Sequence, residues 1–193
     1  MRITRQKVVE NREHLLQTAT DQFREHGIDG VGVADLMKAA GMSLGSFYGY
    51  FESKDQLVAE TFARAVGATK DLMVGFLSQT DENAYMKMVN QYLSPGHRDN
   101  LPKGCVLAAL GSEVTHQSGA VRHAATEQLR TLFDETAQHL PGRTGKQRHD
   151  LAIATLASLV GGLILSRMVD EPDLSKQVLD AVKASMKQST MCR

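Results

Sequence analysis

The chain has 193 residues, of which 42% are hydrophobic and 23% charged, and its basic and acidic side chains cancel to a formal net charge of zero. This balance weighs mildly against a nucleic-acid binder but does not exclude one, because phosphate contacts need only local positive charge. Two cysteines, Cys105 and Cys192, are too few for a disulfide framework, and the first residues lack the apolar segment of a signal peptide. We therefore expect a cytoplasmic protein.

Apolar residues recur at intervals of three and four along the chain, and no segment alternates polar and apolar residues as a strand does. The sequence thus predicts an all-α fold of about nine helices. Breaks fall at glycine, proline and serine, and Ser43 and Ser53 are predicted to cap the helices that follow them. The predicted helices cover residues 7–27, 33–40, 43–51, 54–77, 83–93, 105–116, 120–140, 150–169 and 174–188.

The most apolar segment, residues 151–169, is long enough to suggest a membrane helix. It contains Thr155, Ser158 and Arg167, and no other segment of the chain resembles a span. We therefore expect a buried helix here and no membrane partner.

Two short predicted helices, 33–40 and 43–51, flank a turn at Gly41, which is the bare pattern of a helix-turn-helix. Helix pairs of this kind are common in all-helical proteins, so the pattern alone is weak. The composition of residues 43–51 strengthens the prediction of a DNA-binding helix-turn-helix. Small residues let a backbone approach DNA, and Ser and Tyr hydroxyls reach phosphates or base edges. Lys54 begins the next helix, where its ammonium and the helix N-terminus together suit a phosphate.

Four motifs stand in order and at consistent spacing in the first sixty residues. They are Leu15-Leu16 with Ala19, Phe23 and Gly27; Val33-Ala34-Asp35-Leu36; Ala39-Ala40-Gly41-Met42-Ser43; and Phe47-Tyr48-Gly49-Tyr50-Phe51-Glu52-Ser53-Lys54-Asp55-Gln56-Leu57. Together they resemble the N-terminal signature of the TetR/AcrR family. The resemblance implies a three-helix helix-turn-helix DNA-binding domain, residues 1–53, and a helical ligand-binding and dimerisation domain, residues 54–193. It also implies a homodimeric transcription regulator, usually a repressor.

Carried over by position, the resemblance places residues 43–50 in the major groove of double-stranded operator DNA. Tyr48 and Lys54 match family positions that grip phosphates, whereas Tyr50 stands where the family often has His, and Gly32 where it often has Thr. Phe47 is either a DNA contact or a core residue, and Phe51 is expected in the core. The predicted DNA-binding residues are Ser43, Leu44, Gly45, Ser46, Phe47, Tyr48, Tyr50 and Lys54.

The first twelve residues carry four bases, Arg2, Arg5, Lys7 and Arg12, against one acid, Glu10. This segment is either an arm that touches the DNA backbone or an adjacent minor groove, or a solvated tail.

Small residues such as Ala152, Gly161 and Gly162 allow close packing of the predicted helix 150–169. The resemblance places the dimer contact in this helix and in 174–188, and packing within one chain is the alternative. A two-fold dimer binds half-sites roughly 34–36 Å apart or a multiple of that, so we expect a near-palindromic operator.

Cys105 stands at the predicted start of a helix, just after Lys103, and both the helix dipole and the cation favour the reactive thiolate. The pattern Gly104-Cys105-x-Leu107, followed by Ser112-Glu113-Val114, is similar to that of TetR-type repressors that sense electrophiles or oxidants through one cysteine. Sensing would then be alkylation or oxidation to a sulfenic acid. The alternative is a buried cysteine that acts as a small apolar residue.

A small-molecule inducer, apolar or electrophilic, is expected among the helices of residues 54–140. The histidines show no firm metal-binding spacing, so the sequence predicts neither a metal nor a cofactor. The candidate pocket residues, each of which is alternatively an ordinary core residue, are Met73, Phe76, Tyr85, Met88, Tyr92, Leu107, Leu110 and Phe133.

Other classes of protein remain open at this point. An enzyme is disfavoured, because the sequence shows no nucleophile elbow, phosphate-binding glycine loop, metal motif or evident Ser/His/Asp set. A helical interaction protein would explain the helices but not the Ser, Gly and Tyr composition of residues 43–50. Activation instead of repression is equally compatible with the residues.

Overall fold

The computed structural model describes residues 4–142 and 144–191, which form nine α-helices and one 3-10 helix. Their bounds are α1 (Arg5–His26), α2 (Val33–Ala39), the 3-10 helix (Leu44–Gly49), α3 (Lys54–Leu77), α4 (Ala84–Tyr92), α5 (Pro95–Asp99), α6 (Val106–Val114), α7 (Gly119–Gln138), α8 (Gly145–Met168) and α9 (Pro172–Met191). The predicted all-helical fold is confirmed. Cys192 lies outside the described residues.

Serine and threonine caps explain where the two longest helices begin. The hydroxyl of Ser53 accepts the N–H of Gln56 at 3.1 Å, so α3 begins at the predicted residue. The hydroxyl of Thr144 accepts the N–H of Gln147 at 3.2 Å, and the Gln147 side chain accepts the N–H of Thr144 at 3.1 Å. This reciprocal capping box starts α8 earlier than the apolar pattern predicts.

Helix α5 occupies a segment for which the sequence predicts a break. Ser94, Pro95 and Gly96 read locally as a turn, but the Ser94 hydroxyl accepts the N–H of His97 at 3.1 Å. Pro95 stands in the first turn of the helix, where it has no N–H to lose. The same residues, Ser94 and Pro95, therefore both end α4 and begin α5.

The segment after Gly41 forms a 3-10 helix instead of the α-helix predicted for 43–51. The N–H of Ser46 donates to the Ser43 carbonyl at 3.0 Å, and the N–H of Tyr50 donates to the Phe47 carbonyl at 2.9 Å. The predicted side-chain cap by Ser43 is wrong, because its hydroxyl makes no capping hydrogen bond. Its carbonyl instead also accepts the hydroxyl of Ser46, at 2.7 Å.

Helix α3 packs along α7 and also on α1. Its buried residues, which include Leu57, Phe62 and Met73, recur at helical spacing. One continuous apolar core runs from Leu15 in α1 to Met186 in α9. Helix α1, on which α2 packs, contacts both α3 and α6.

Helix α8 is the one helix of the described residues that is long and apolar enough to cross a membrane, by length and composition only. It packs on α9, α7 and α6, and Leu156, Leu159 and Leu163 are among its buried residues. The core helix of a globular protein passes the same test of length and composition. This packing agrees with the buried helix that the sequence predicts.

Candidate DNA-binding surface and sensor site

The helix-turn-helix consists of α2, a turn at Gly41 and the 3-10 helix. Helix α2 ends with hydrogen bonds from the Gly41 N–H to the Lys38 carbonyl at 3.0 Å and from the Met42 N–H to the Met37 carbonyl at 2.8 Å. Gly41 has φ +68°, a left-handed conformation that glycine adopts without steric cost. The turn thus stops α2 and leads directly into residues 43–50.

Five of the predicted DNA-contact residues from Ser43 to Tyr48 are wholly or partly exposed. Tyr48 is 75% exposed and Leu44 is 55% exposed, while Ser43 and Gly45 are exposed and Ser46 is half-buried. We call these five residues the recognition surface.

Phe47, another predicted DNA contact, is 1% exposed, so its side chain belongs to the core and not to the recognition surface. Its ring centroid lies 6.0 Å from that of Phe51, which is 2% exposed, as the sequence predicts for Phe51. Tyr48 meets the edge of Phe47 at 5.3 Å between ring centroids. The two buried rings anchor the 3-10 helix and leave Tyr48 on its outside.

Tyr50 and Lys54 are both partly buried, and each makes a hydrogen bond within the chain. The hydroxyl of Tyr50 accepts the side-chain amide of Asn11 at 3.1 Å. The Nζ of Lys54 donates to the Ile28 carbonyl at 2.6 Å and lies 6.0 Å from the centroid of the Phe23 ring. Lys54 therefore connects α3 to the loop between α1 and α2.

The basic residues near the N-terminus lie mostly in α1, which corrects the idea of a twelve-residue arm. Arg5 and Lys7 are exposed in the first turn of this helix. The Arg12 guanidinium faces the Glu60 carboxylate at 2.6 and 2.7 Å, which joins α1 to α3. Arg2 lies outside the described residues. Contact between this basic segment and DNA stays a prediction.

Helix α6 contacts the same loop that Lys54 contacts. The carboxylate of Glu113 accepts the backbone N–H of Ile28 at 2.6 Å. The preceding residue, Gly27, has φ +79°, and a Cβ at this position would meet the Glu113 carboxylate at 2.9 Å. Glycine is therefore needed here both for the backbone conformation and for the approach of Glu113.

Cys105, the candidate sensor, is the N-cap residue of α6 and is 3% exposed. Its backbone N–H donates to His97 Nε2 at 3.0 Å, and His97 Nδ1 lies 2.6 Å from the Tyr92 carbonyl. Since Nε2 accepts, Nδ1 carries the proton and donates, so His97 is neutral in this arrangement. Burial lowers the pKa of His97, which favours the same neutral form.

Cys105 lines a cavity of about 110 Å³ between α1, α3 and the segment before α6. Its sulfur lies 4.0 Å from the hydroxyl of Thr69. No sequence motif identifies Arg24 or His97 as a residue of this cavity, because α1 and α5 come close to Cys105 only in the folded chain. The polar lining residues are Arg24, Thr69, Tyr92, His97, Lys103 and Cys105.

The eight candidate pocket residues are distributed over the C-terminal helices. Tyr92 lines the Cys105 cavity, and Tyr85 lines an open groove of about 310 Å³. Leu110 borders a gap of about 10 Å³, which is hardly large enough for one water molecule. The others are buried in the core or packed against it, and they are Met73, Phe76, Met88, Leu107 and Phe133.

Comparison with known proteins places this geometry in a family. Residues 15–61 match the family described as "Bacterial regulatory proteins, tetR family". The chain is 32% identical over 162 residues to the HTH-type transcriptional repressor DhaR of Mycobacterium sp. (strain GP1), covering 77% of this chain and 76% of that protein. It is 28% identical over 149 residues to the HTH-type transcriptional repressor NemR of Escherichia coli (strain K12), covering 74% and 72%. The reduced form of E. coli NemR superposes with a TM-score of 0.76 at 22% identity, over 93% of this chain and 96% of that one.

The family match contains most of α1, the whole helix-turn-helix and the start of α3. The similarity to DhaR extends well beyond it, over three quarters of both proteins. The regulators of this family are not enzymes, which removes the enzyme alternative. The chain therefore belongs to the tetR family of bacterial regulatory proteins, and it is a helix-turn-helix transcriptional repressor.

Proposed function

We propose that the chain represses transcription as a homodimer that leaves a near-palindromic operator when a small-molecule or thiol-reactive signal reaches its C-terminal helices. The observation that carries this proposal is the recognition surface. Tyr48 is 75% exposed on a 3-10 helix that two buried phenylalanines hold in place. A large aromatic side chain in this position contributes little to packing, whereas its hydroxyl and those of the neighbouring serines suit phosphates and base edges.

In the proposed complex the recognition surface enters the major groove. Tyr50 and Lys54 flank it, and the Lys54 ammonium contacts a phosphate while it keeps its hydrogen bond to the Ile28 carbonyl, because an ammonium has three donors. Residues 1–53 form the DNA-binding domain, and residues 54–193 form the signal-binding and dimerisation domain. Phe47 supports this surface from the core and makes no side-chain contact with DNA.

The dimer is proposed to form through α8 and α9. Although α8 packs on four neighbouring helices, several of its large apolar side chains and one from α9 are exposed. Exposed apolar side chains on two adjacent helices favour association with a second copy. The exposed residues are Ile153, Leu165, Met168 and Leu174.

The signal is proposed to act at Cys105 and to travel along α6. Cys105 precedes the first residue of this helix, and Glu113, near the end of the same helix, accepts the Ile28 N–H at 2.6 Å. An adduct on the thiol enlarges a side chain that is 3% exposed, so α6 has to shift. Such a shift moves Glu113 and the loop that precedes α2. E. coli NemR, to which the chain is similar, was solved in a reduced form.

The proposal is tested by fluorescence-anisotropy titration of the full-length protein against its own upstream DNA, before and after treatment with iodoacetamide. The titration uses a Cys192→Ser background, so that Cys105 is the one reactive thiol. We expect specific, salt-dependent binding that Tyr48→Ala abolishes and that alkylation weakens. Cys105→Ser should bind DNA equally well and ignore the reagent.

Each result decides one part of the proposal. If Tyr48→Ala binds as tightly as the parent, the recognition surface is assigned wrongly. If alkylation of Cys105, verified by mass spectrometry, leaves DNA binding unchanged, the cysteine switch is wrong and a non-covalent signal is required. Lys146→Gln, which changes an exposed charge on α8, serves as the control for non-specific effects on DNA affinity.

A further inference from the structure

The cavity beside Cys105 contains a buried cation without a close anionic partner. The side chain of Arg24 is 10% exposed, and the Asp21 carboxylate lies 3.9 Å away, at the limit of an ion pair. Arg24 Nη1 donates to the Pro102 carbonyl at 3.1 Å, but Nε has no hydrogen-bond partner among the residues that the structure describes. Burial lowers the pKa of Arg24, since desolvation disfavours the charged form. A buried guanidinium in this state gains stability from any anion that completes its hydrogen bonds.

Tyr92, which carries a second buried donor, lines the same cavity. Tyr92 is 2% exposed, and its hydroxyl has no hydrogen-bond partner of normal geometry. The group beside it is the thiol of Cys105, and sulfur is a weak partner. Burial raises the pKa of Tyr92 well above its usual range, so the hydroxyl keeps its proton and remains a donor. Buried tyrosine hydroxyls ordinarily find a strong partner, and among the described residues this one has only a thiol beside it.

Two further cations stand at or beside the cavity. Lys103 lines it, and Arg167 stands against Gly104, where an added Cβ would meet its Nη2 at 2.9 Å. The neutral His97 adds no negative charge. Helix α3 supplies an apolar part of the wall, formed by Ala65, Ala68 and Leu72.

The volume of this half-open cavity limits how much of a ligand it can enclose. At about 110 Å³ it is smaller than an engineered cavity of about 150 Å³ that accommodates benzene. A ligand of about four to six non-hydrogen atoms fits such a space. Unpaired donors and positive charge favour a group that only accepts hydrogen bonds, and the apolar wall favours a short alkyl chain.

We propose that this cavity binds a small monocarboxylate, between acetate and butyrate in size, with its oxygens on Arg24 and Tyr92 and its alkyl chain against α3. Arg24 belongs to α1 of the DNA-binding domain, whereas Tyr92 and Cys105 belong to the C-terminal helices. The bound anion thus joins the two domains and covers the thiol. This site requires no reaction at Cys105, so it stands apart from the proposed cysteine switch.

The first test is a ligand-observed NMR titration of the full-length protein with propanoate, and with propanamide as a neutral control of the same shape. Propanoate should bind saturably, and propanamide should bind roughly tenfold more weakly or not at all, as the loss of a charge-assisted hydrogen bond implies. Equal binding of the two compounds, or no saturable binding of propanoate, overturns the proposal.

Variants locate the site. Tyr92→Phe removes only an unpaired hydroxyl and so leaves the fold intact, while Lys103→Met removes an exposed charge at the cavity. Both should weaken propanoate binding, and Arg24→Met should abolish it. Tyr85→Phe, a matched change in a different groove, should keep the wild-type affinity. Unchanged affinity in both Tyr92→Phe and Arg24→Met contradicts the assignment.

A kinetic test reports on the thiol as well. In the Cys192→Ser protein, iodoacetate and iodoacetamide alkylate Cys105 by the same step: the S–C bond forms, the C–I bond breaks, iodide leaves with the bonding electrons, and the thiol proton passes to solvent. The rate ratio of iodoacetate to iodoacetamide should fall in Tyr92→Phe and Arg24→Met, and propanoate should protect Cys105. If Cys105 reacts with neither reagent, the cysteine switch fails, while the propanoate titration still decides the anion site.

Discussion

The carboxylate of Glu113 and the backbone N–H of Ile28 form a hydrogen bond of 2.6 Å between α6 and the loop that joins α1 to α2. The carbonyl of the same Ile28 accepts Lys54 Nζ, also at 2.6 Å. Both backbone polar groups of one loop residue are therefore held by charged side chains, a carboxylate from α6 and an ammonium from the first residue of α3. The support of the helix-turn-helix thus depends on the position of the C-terminal helices.

Replacing Glu113 by Ala should lower the free energy of unfolding by about 1.5–3 kcal/mol, the range for a hydrogen bond to a charged group. The change should also weaken DNA binding, because the loop before α2 loses its connection to α6. Urea unfolding and anisotropy titration measure the two effects. Glu127→Ala, which removes an exposed carboxylate of α7, is the matched control and should change neither. Equal stability of Glu113→Ala and the parent protein would show that this hydrogen bond contributes nothing.

Truncation of the adjacent residues Phe47 and Tyr48 to alanine should have different effects on the free energy of unfolding. Phe47→Ala empties a site that is 1% exposed and should cost about 3–5 kcal/mol of unfolding free energy. Tyr48→Ala removes a ring that is 75% exposed and should cost less than about 1.5 kcal/mol, the most that its edge contact with Phe47 supplies. Thermal unfolding and DNA titration of both variants check this contrast. A stable Phe47→Ala protein that has lost DNA binding would instead make Phe47 a direct contact.

The helices could be predicted from sequence because each buries an apolar stripe at helical spacing, and local caps mark several of their starts. Helix α3 was predicted with its exact bounds, since Ser53 is a strong cap and the apolar spacing persists to Leu77. Helix α5 was missed, because Ser94-Pro95 serves equally well as a break and as a helix start. Such ambiguity is resolved only by packing.

The candidate site was predictable in part. The exposed surface of residues 43–50 and the position of Cys105 at a helix start follow from local sequence. The contribution of Arg24 to the Cys105 cavity does not, because it is the folding of α1 against the segment before α6 that brings the two together. The engagement of Lys54 with Ile28 is likewise a product of tertiary packing. Contacts between residues far apart in the chain leave no periodic or local signal in one sequence.

Acid should destabilise the protein through His97. Burial holds the pKa of His97 below its usual value, so the unfolded chain takes up the proton more readily than the folded chain. The stability that this neutral histidine contributes is complete above about pH 6.5, the ordinary pKa of histidine, and is lost as the pH falls through the window between that value and the lower folded-state pKa. Protonation also removes the acceptor for the Cys105 N–H at the start of α6.

The measurement is urea unfolding of the wild type and of His97→Gln between pH 7.5 and 5, in buffers without carboxylates. The difference in unfolding free energy between the two proteins should shrink as the pH falls, because the variant lacks the titrating group. His116→Gln, which changes an exposed histidine, should follow the wild type over the whole range. A pH-independent difference between His97→Gln and the wild type would contradict the assignment.

A charge on the exposed apolar side of α8 should separate the proposed dimer. Leu165 is 54% exposed and Met168 is 72% exposed, so Leu165→Glu and Met168→Glu should leave the folded chain intact while placing a carboxylate in the interface. Sedimentation equilibrium should then report a monomer, and affinity for a palindromic site should fall steeply, because the two half-sites are no longer bound by linked domains. Val9→Glu, at a residue of α1 that is 68% exposed, should keep the oligomeric state of the wild type. A dimer that persists in both α8 variants would place the interface elsewhere.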